Sequence, residues 1–89
     1  MKAPYLEVTY CHGHPIAAYL YLPRATPDKS HRTSRAEPGM IIDYTADGKP
    51  IGIEITAPLQ LSVNDLNRAL NSLGASLLTS DDVAPLRVA

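Results

Sequence analysis

The chain is poor in cysteine and in large aromatic side chains, and it has no long apolar run. A single Cys stands among 89 residues, and Trp and Phe are absent. One Cys cannot form a disulfide within the chain, which excludes a disulfide scaffold and favours a reducing compartment. No uninterrupted apolar run reaches the roughly 18 residues that span a bilayer, and the first residues lack the apolar stretch of a signal peptide. We therefore expect a cytoplasmic protein.

Charge is also scarce. Charged residues make up 19% of the chain and the formal net charge is −1. So small a net charge gives no overall attraction to nucleic acid or to an anionic membrane, and we expect neither as a partner. Hydrophobic residues reach 45%, enough for the core of one small domain, whereas the length excludes a large enzyme.

Alternating apolar and polar residues predict strands over residues 5–10, 16–22 and 31–37. A hairpin is predicted next, with strands 40–44 and 51–56 joined through Asp47-Gly48, a pair suited to a tight turn. Pairing Ile42 with Ile53 and Tyr44 with Ile51 keeps apolar residues together. A shift of one residue would instead turn Asp43 into the core.

One helix follows the strands. Ser62 is a good N-cap, Asp65 stands at the third helical position, and Leu61 and Leu66 occupy the positions of a hydrophobic staple. Gly74 is placed to end the helix. The sequence thus predicts an α+β fold, in which an antiparallel meander of four to five strands carries one amphipathic helix on one face. We expect a single domain over residues 1–74 and a tail over 75–89 that can pack onto it.

Residues 37–44, then Asp47-Gly48, then Ile51-Gly52-Ile53-Glu54-Ile55 resemble the signature of a family of small bacterial proteins, domain of unknown function 2283. Residues 17–22 are similar to the family's first-hairpin strand. The chain departs from the family after Tyr10, where Cys-His-Gly-His stands in place of the usual aspartates. The family implies no established activity. The gene arrangement of some similar proteins implies the neutralising half of a toxin–antitoxin pair.

Cys11, His12 and His14 are the residues best suited to a metal ion, because thiolate and imidazole ligate Zn²⁺ and Cu⁺. A closed zinc site needs four ligands, and no spacing identifies a fourth. Gly13 and Pro15 explain a solvated turn at the same place without a metal. Cys11 as a nucleophile would need an orienting group and an oxyanion site that the sequence does not locate. We therefore assign no catalytic residue and no cofactor.

Asp43 and Glu54 form a second candidate site for a ligand. In the predicted register they lie diagonally on neighbouring strands, about 7–8 Å apart at Cα. Such a pair could act as acid and base in a minor hydrolase, or bind a cation. Gly52, opposite Asp43, leaves a dent that a ligand or another chain could fill. A polar, solvent-facing sheet surface explains the same residues.

A protein interface is the interpretation that we prefer. Both faces of the strand over 16–22 are apolar, so its sequence leaves the inward face open. One helix covers one side of a sheet, so if Leu20 and Leu22 face the core, Ala17, Tyr19, Tyr21 and Ile41 are left on the other side, where tyrosines supply a large area with a polar tip. The C-terminal tail, a second copy or a different protein could cover that side. We expect a non-enzymatic interaction module, either a homodimer or an antitoxin-like neutralising partner. The alternative is a small-ligand or metal-binding protein, perhaps a minor hydrolase, that uses Cys11, His12 and His14 or the Asp43 and Glu54 pair.

Overall fold

The computed structural model describes residues 4–87. Residues 1–3 and 88–89, the outer ends of the predicted domain and tail, lie outside the described residues. In the described part of the chain, five strands precede a single α-helix: β1 (Tyr5–Cys11), β2 (His14–Tyr21), β3 (Arg32–Ala36), β4 (Met40–Tyr44), β5 (Pro50–Ile55) and α1 (Val63–Ser72). Short 3-10 turns stand at Pro58–Gln60 and Ala84–Arg87. The predicted α+β class is confirmed. Within residues 4–87, no helix combines the length and apolarity that crossing a membrane requires.

The five strands form one sheet in the order β1-β2-β5-β4-β3, and all neighbours are antiparallel. The predicted pairing of Ile42 with Ile53 is confirmed. The predicted pairing of Tyr44 with Ile51 is wrong, because a bulge after Asp43 places Tyr44 opposite Pro50. The Ile51 carbonyl instead accepts a hydrogen bond from the Leu22 N–H, at 3.1 Å, beside β2.

One face of the sheet carries the core. Ile53 and Ile55 of β5 are fully buried there, together with Leu66 and Leu70 of α1. The other members of the core cluster come from β2 and the residue after it, from β4, from the segment before α1 and from the C-terminal segment: Ala18, Leu20, Leu22, Met40, Ile42, Leu61, Val83 and Leu86. The helix and the residues that follow it therefore cover the same face.

Both ends of α1 have the capping residues that the sequence predicts. The Ser62 Oγ accepts a hydrogen bond from the Asp65 N–H at 3.0 Å, and the Asp65 carboxylate accepts one from the Ser62 N–H at 3.1 Å. At the other end, Gly74 has φ 71° and the Ala75 N–H bonds the Leu70 carbonyl at 2.9 Å. This is a glycine-terminated Schellman ending, which a side chain at position 74 would strain.

The segment after α1 shares the core with the sheet. Val83 and Leu86 are 4% and 1% exposed. The Asn67 side chain donates to the Leu78 carbonyl at 2.8 Å and accepts from the Leu78 N–H at 2.7 Å, which fixes the chain beside the helix. The Tyr10 hydroxyl donates to the Pro85 carbonyl at 2.8 Å. Residues 75–87 are thus packed against residues 4–74.

Candidate functional site

The second face of the sheet, which we call the open face, lies opposite the core. Strand pairing arranges its side chains in two rows that cross all five strands. In order from β1 to β3, the first row is Glu7, Tyr19, Glu54, Ile41 and Arg35. The second row is Tyr5, Tyr21, Gly52, Asp43 and Thr33.

Three tyrosines form a connected cluster on the open face. The ring centroids of Tyr19 and Tyr21 lie 4.7 Å apart in an edge-to-face arrangement, and those of Tyr5 and Tyr21 lie 5.7 Å apart. Tyr5 is 55% exposed, and Tyr19 and Tyr21 are half-buried. Edge-to-face rings of this kind favour one another beyond the area that they bury. The cluster is therefore an aromatic surface that is partly exposed to solvent.

Tyr19 lies across Gly52, and its hydroxyl donates a hydrogen bond to the Asp43 carboxylate. A Cβ on Gly52 would stand 2.0 Å from the Tyr19 hydroxyl oxygen. The dent that the sequence places over Gly52 is therefore filled by Tyr19 of the same chain. Burial, and then the bond to Asp43, raise the pKa of Tyr19 to about 12. The phenol thus stays neutral over the whole physiological range.

Arg24 borders the tyrosine cluster. Its guanidinium carbon lies 5.3 Å from the centroid of the Tyr21 ring, and its Nη2 donates to the Ile51 carbonyl at 2.6 Å. Its positive charge partly offsets the rise in the pKa of Tyr19. A cation over an aromatic face stabilises the ring in one position. Arg24 thereby fixes the end of the tyrosine cluster.

The two carboxylates of the predicted pair, Asp43 and Glu54, have different surroundings. Asp43 is half-buried, and its second oxygen accepts a hydrogen bond from the Ser30 hydroxyl at 3.2 Å. Glu54 is exposed and stands in the other row, between Tyr19 and Ile41. The structure thus places both carboxylates on the open face, as predicted, with Asp43 engaged by Tyr19 and Ser30.

Cys11, His12 and His14 lie at the hairpin between β1 and β2. Cys11 pairs with His14 across the strands, and His12 and Gly13 have φ of 52° and 78° in the turn. All three side chains are exposed. In the part of the chain that the structure describes, no group of three or more His, Cys, Asp or Glu side chains is arranged to hold a metal ion. The structure does not bring these three residues together as ligands.

A hollow lies on the core side of the sheet. It has a volume of about 270 Å³ between the end of α1 and β2. Leu20, Leu22, Leu70 and Leu73 are among its lining residues, and Lys49 stands at its margin. None of the site residues predicted from sequence lines it, so the hollow and the open face are separate features.

Comparison with known proteins identifies the central segment. Residues 17–57 match the family described as Protein of unknown function (DUF2283). The resemblance predicted from sequence is thereby confirmed. The DUF2283 segment runs from β2 to the end of β5 and contains all four residues of the predicted interface, Ala17, Tyr19, Tyr21 and Ile41. No curated protein and no solved structure matches the chain.

Sequence reasoning did not assign Tyr5, Arg24 or Ser30 to this surface. Tyr5 could have been found, because it alternates in the same strand with Leu6 and Val8, which are partly buried and pack against the core. Arg24 and Ser30 belong to the segment between β2 and β3, and no periodicity in that segment indicates which way a side chain turns. Their contacts with Tyr21 and Asp43 depend on the course of the loop.

Proposed function

We propose that this chain is a non-enzymatic protein-interaction module that binds its partner through the open face. The observation that carries the proposal is the position of the tyrosine cluster, on the side of the sheet away from α1 and the C-terminal segment. Tyr5, Tyr19 and Tyr21 combine large apolar area with hydroxyl groups, a composition enriched at protein interfaces. Two kinds of partner fit: a second copy of this chain, or a toxin that the chain neutralises.

The internal contacts of the cluster support a binding role. Tyr19 is held by Asp43 and lies over Gly52, while Tyr21 lies beside Arg24. Side chains that are already ordered lose less conformational entropy when a partner binds. A preorganised aromatic surface with charged residues at its margins suits recognition of a protein better than enclosure of a small substrate.

Photo-crosslinking from the open face tests the proposal. A photoreactive phenylalanine analogue replaces Tyr5, and in a matched control it replaces Arg68 on the outer side of α1. We expect a covalent product from position 5 and not from position 68, and its mass identifies the partner. Adding Tyr21→Glu should abolish the product, with circular dichroism confirming that the variant is folded. Absence of any product from position 5 would overturn the proposal.

A further inference from the structure

We propose that the open face binds a second copy of this chain, face to face. The two copies are related by a two-fold axis that is parallel to β5 and lies between the two open faces, above β5. This inference rests on the proposed function and names its partner. It is carried by the distribution of charge along the first row of the open face. Glu7 ends that row on β1, and Arg35 ends it on β3. Both side chains are exposed.

The two charged residues stand at equal distances from the middle strand. Two strand spacings separate β1 from β5, and two separate β5 from β3. Neighbouring strands lie about 4.8 Å apart, so each end of the row is about 10 Å from β5. A row with opposite charges at equal distances from its centre is complementary to itself when reversed.

A two-fold axis along β5 makes that reversal. It carries Arg35 of the second copy over Glu7 and Glu7 of the second copy over Arg35, so that one symmetric contact contains two ion pairs. The same rotation places Tyr21 over Asp43 of the second copy and Tyr19 over Ile41 of the second copy. Packed sheets are rotated by about 30° from perfect alignment, which displaces the row ends by about 5 Å. The long side chains of Arg35 and Glu7 can span that displacement.

The arrangement also has an unfavourable element. Glu54 is the middle residue of the first row, so each copy places its Glu54 carboxylate next to the axis. Two carboxylates at this position repel one another and weaken the contact. Glu54→Gln should therefore tighten the dimer, an effect that the row geometry predicts only for a partner that supplies a second Glu54.

Reversing the charges tests the arrangement. Glu7→Arg places two Arg–Arg contacts in the dimer and Arg35→Glu places two Glu–Glu contacts, so each variant alone should raise the dimer Kd at least about tenfold. A mixture of the two variants should recover the Kd of the native chain, because both contacts of the mixed dimer then join opposite charges. Light scattering over a concentration series measures the mass, and Arg68→Glu on the outer side of α1 is the matched control that leaves the Kd unchanged.

The outcomes separate this inference from the proposed function. A mixture that stays as weak as the single variants would overturn the two-fold arrangement. A native chain that is monomeric at every concentration, yet crosslinks from position 5 to a different protein, would overturn the second copy as partner and leave the interaction module standing. Recovery in the mixture, together with tighter association of Glu54→Gln, supports the dimer described here.

Discussion

The contact between Tyr19 and Gly52 shows how one residue without a side chain organises the open face. Because Gly52 has no Cβ, the outer end of the Tyr19 ring can lie over β5 and its hydroxyl can reach Asp43. Nothing at position 52 alone predicts this, since a glycine in a strand also accommodates a bulge or a ligand. Gly52 pairs with Tyr21 on β2 and with Asp43 on β4, and this register places Gly52 under the Tyr19 ring.

The raised pKa of Tyr19 predicts a stability change at alkaline pH. In the unfolded chain this phenol has its ordinary pKa of 10.0, and in the fold the pKa is about 12. The folded state therefore favours the neutral phenol, and this contribution is complete below pH 10 and is lost as the pH rises through 12. Tyr19→Phe lacks the contribution. In urea titrations from pH 9 to 12, we expect the stability advantage of the native chain over Tyr19→Phe to fall by about 1–2 kcal/mol, less than the full pKa difference would give, because solvent screens a half-buried side chain.

A second variant controls that measurement. Gly52→Ala inserts a methyl group where the Tyr19 ring lies, so the ring must move away from Asp43. The pKa of Tyr19, followed by tyrosinate absorbance, should then return towards 10. A constant difference between the native chain and Tyr19→Phe from pH 9 to 12 would contradict the prediction.

At the scale of single elements, local sequence and structure agree most closely in α1. The Ser62 and Asp65 capping box, the buried Leu61 and Leu66, and the left-handed Gly74 all lie where the sequence predicts them. Each of these signals acts within a few residues of the chain. They are satisfied by the helix itself and need no knowledge of the sheet.

Loss of the N-cap should destabilise the whole domain, because Leu66 and Leu70 of the helix belong to the core. Ser62→Ala removes the acceptor for the Asp65 N–H, and we expect it to lower the free energy of unfolding by about 1 kcal/mol in urea titrations. Asn64→Ala is the matched exposed control in the same turn, with an expected change within about 0.5 kcal/mol. Equal effects of the two substitutions would show that the cap contributes nothing.

At the scale of the whole molecule, the C-terminal segment completes the core. Proline and paired aspartates in residues 75–89 predict an extended tail, and nothing in that pattern requires its side chains to be buried. The structure nevertheless buries Val83 and Leu86 on the same side as α1. This placement leaves the tyrosine cluster of the open face outside the hydrophobic core cluster.

We therefore expect Leu86 to contribute as much to the free energy of unfolding as a core residue of the sheet. Leu86→Ala leaves a cavity in the core, and we expect it to lower the free energy of unfolding by about 2–4 kcal/mol, measured by thermal or urea denaturation. Leu77→Ala is the control in the same segment, because Leu77 is 58% exposed. Its expected effect is within about 0.5 kcal/mol. A Leu86→Ala effect as small as that of Leu77→Ala would mean that the segment does not stabilise the fold.

The sequence by itself determined the features that depend on short-range patterns. The strands, the pairing of Ile42 with Ile53, the caps of α1 and the α+β class all follow from alternation and turn chemistry. Both faces of β2 are apolar in sequence, so only the structure shows that Leu20 faces the core and leaves Tyr19 and Tyr21 on the open face. Tertiary structure alone decided the bulge beyond Asp43, the position of Tyr19 over Gly52, the contact of Arg24 with Tyr21 and the burial of Leu86. The positions of Tyr19 and Leu86 join residues distant in the chain, and the packing of several elements at once sets their approach. The contact of Arg24 with Tyr21 spans three residues, but it depends on the course of the loop after β2, which has no periodic pattern in the sequence.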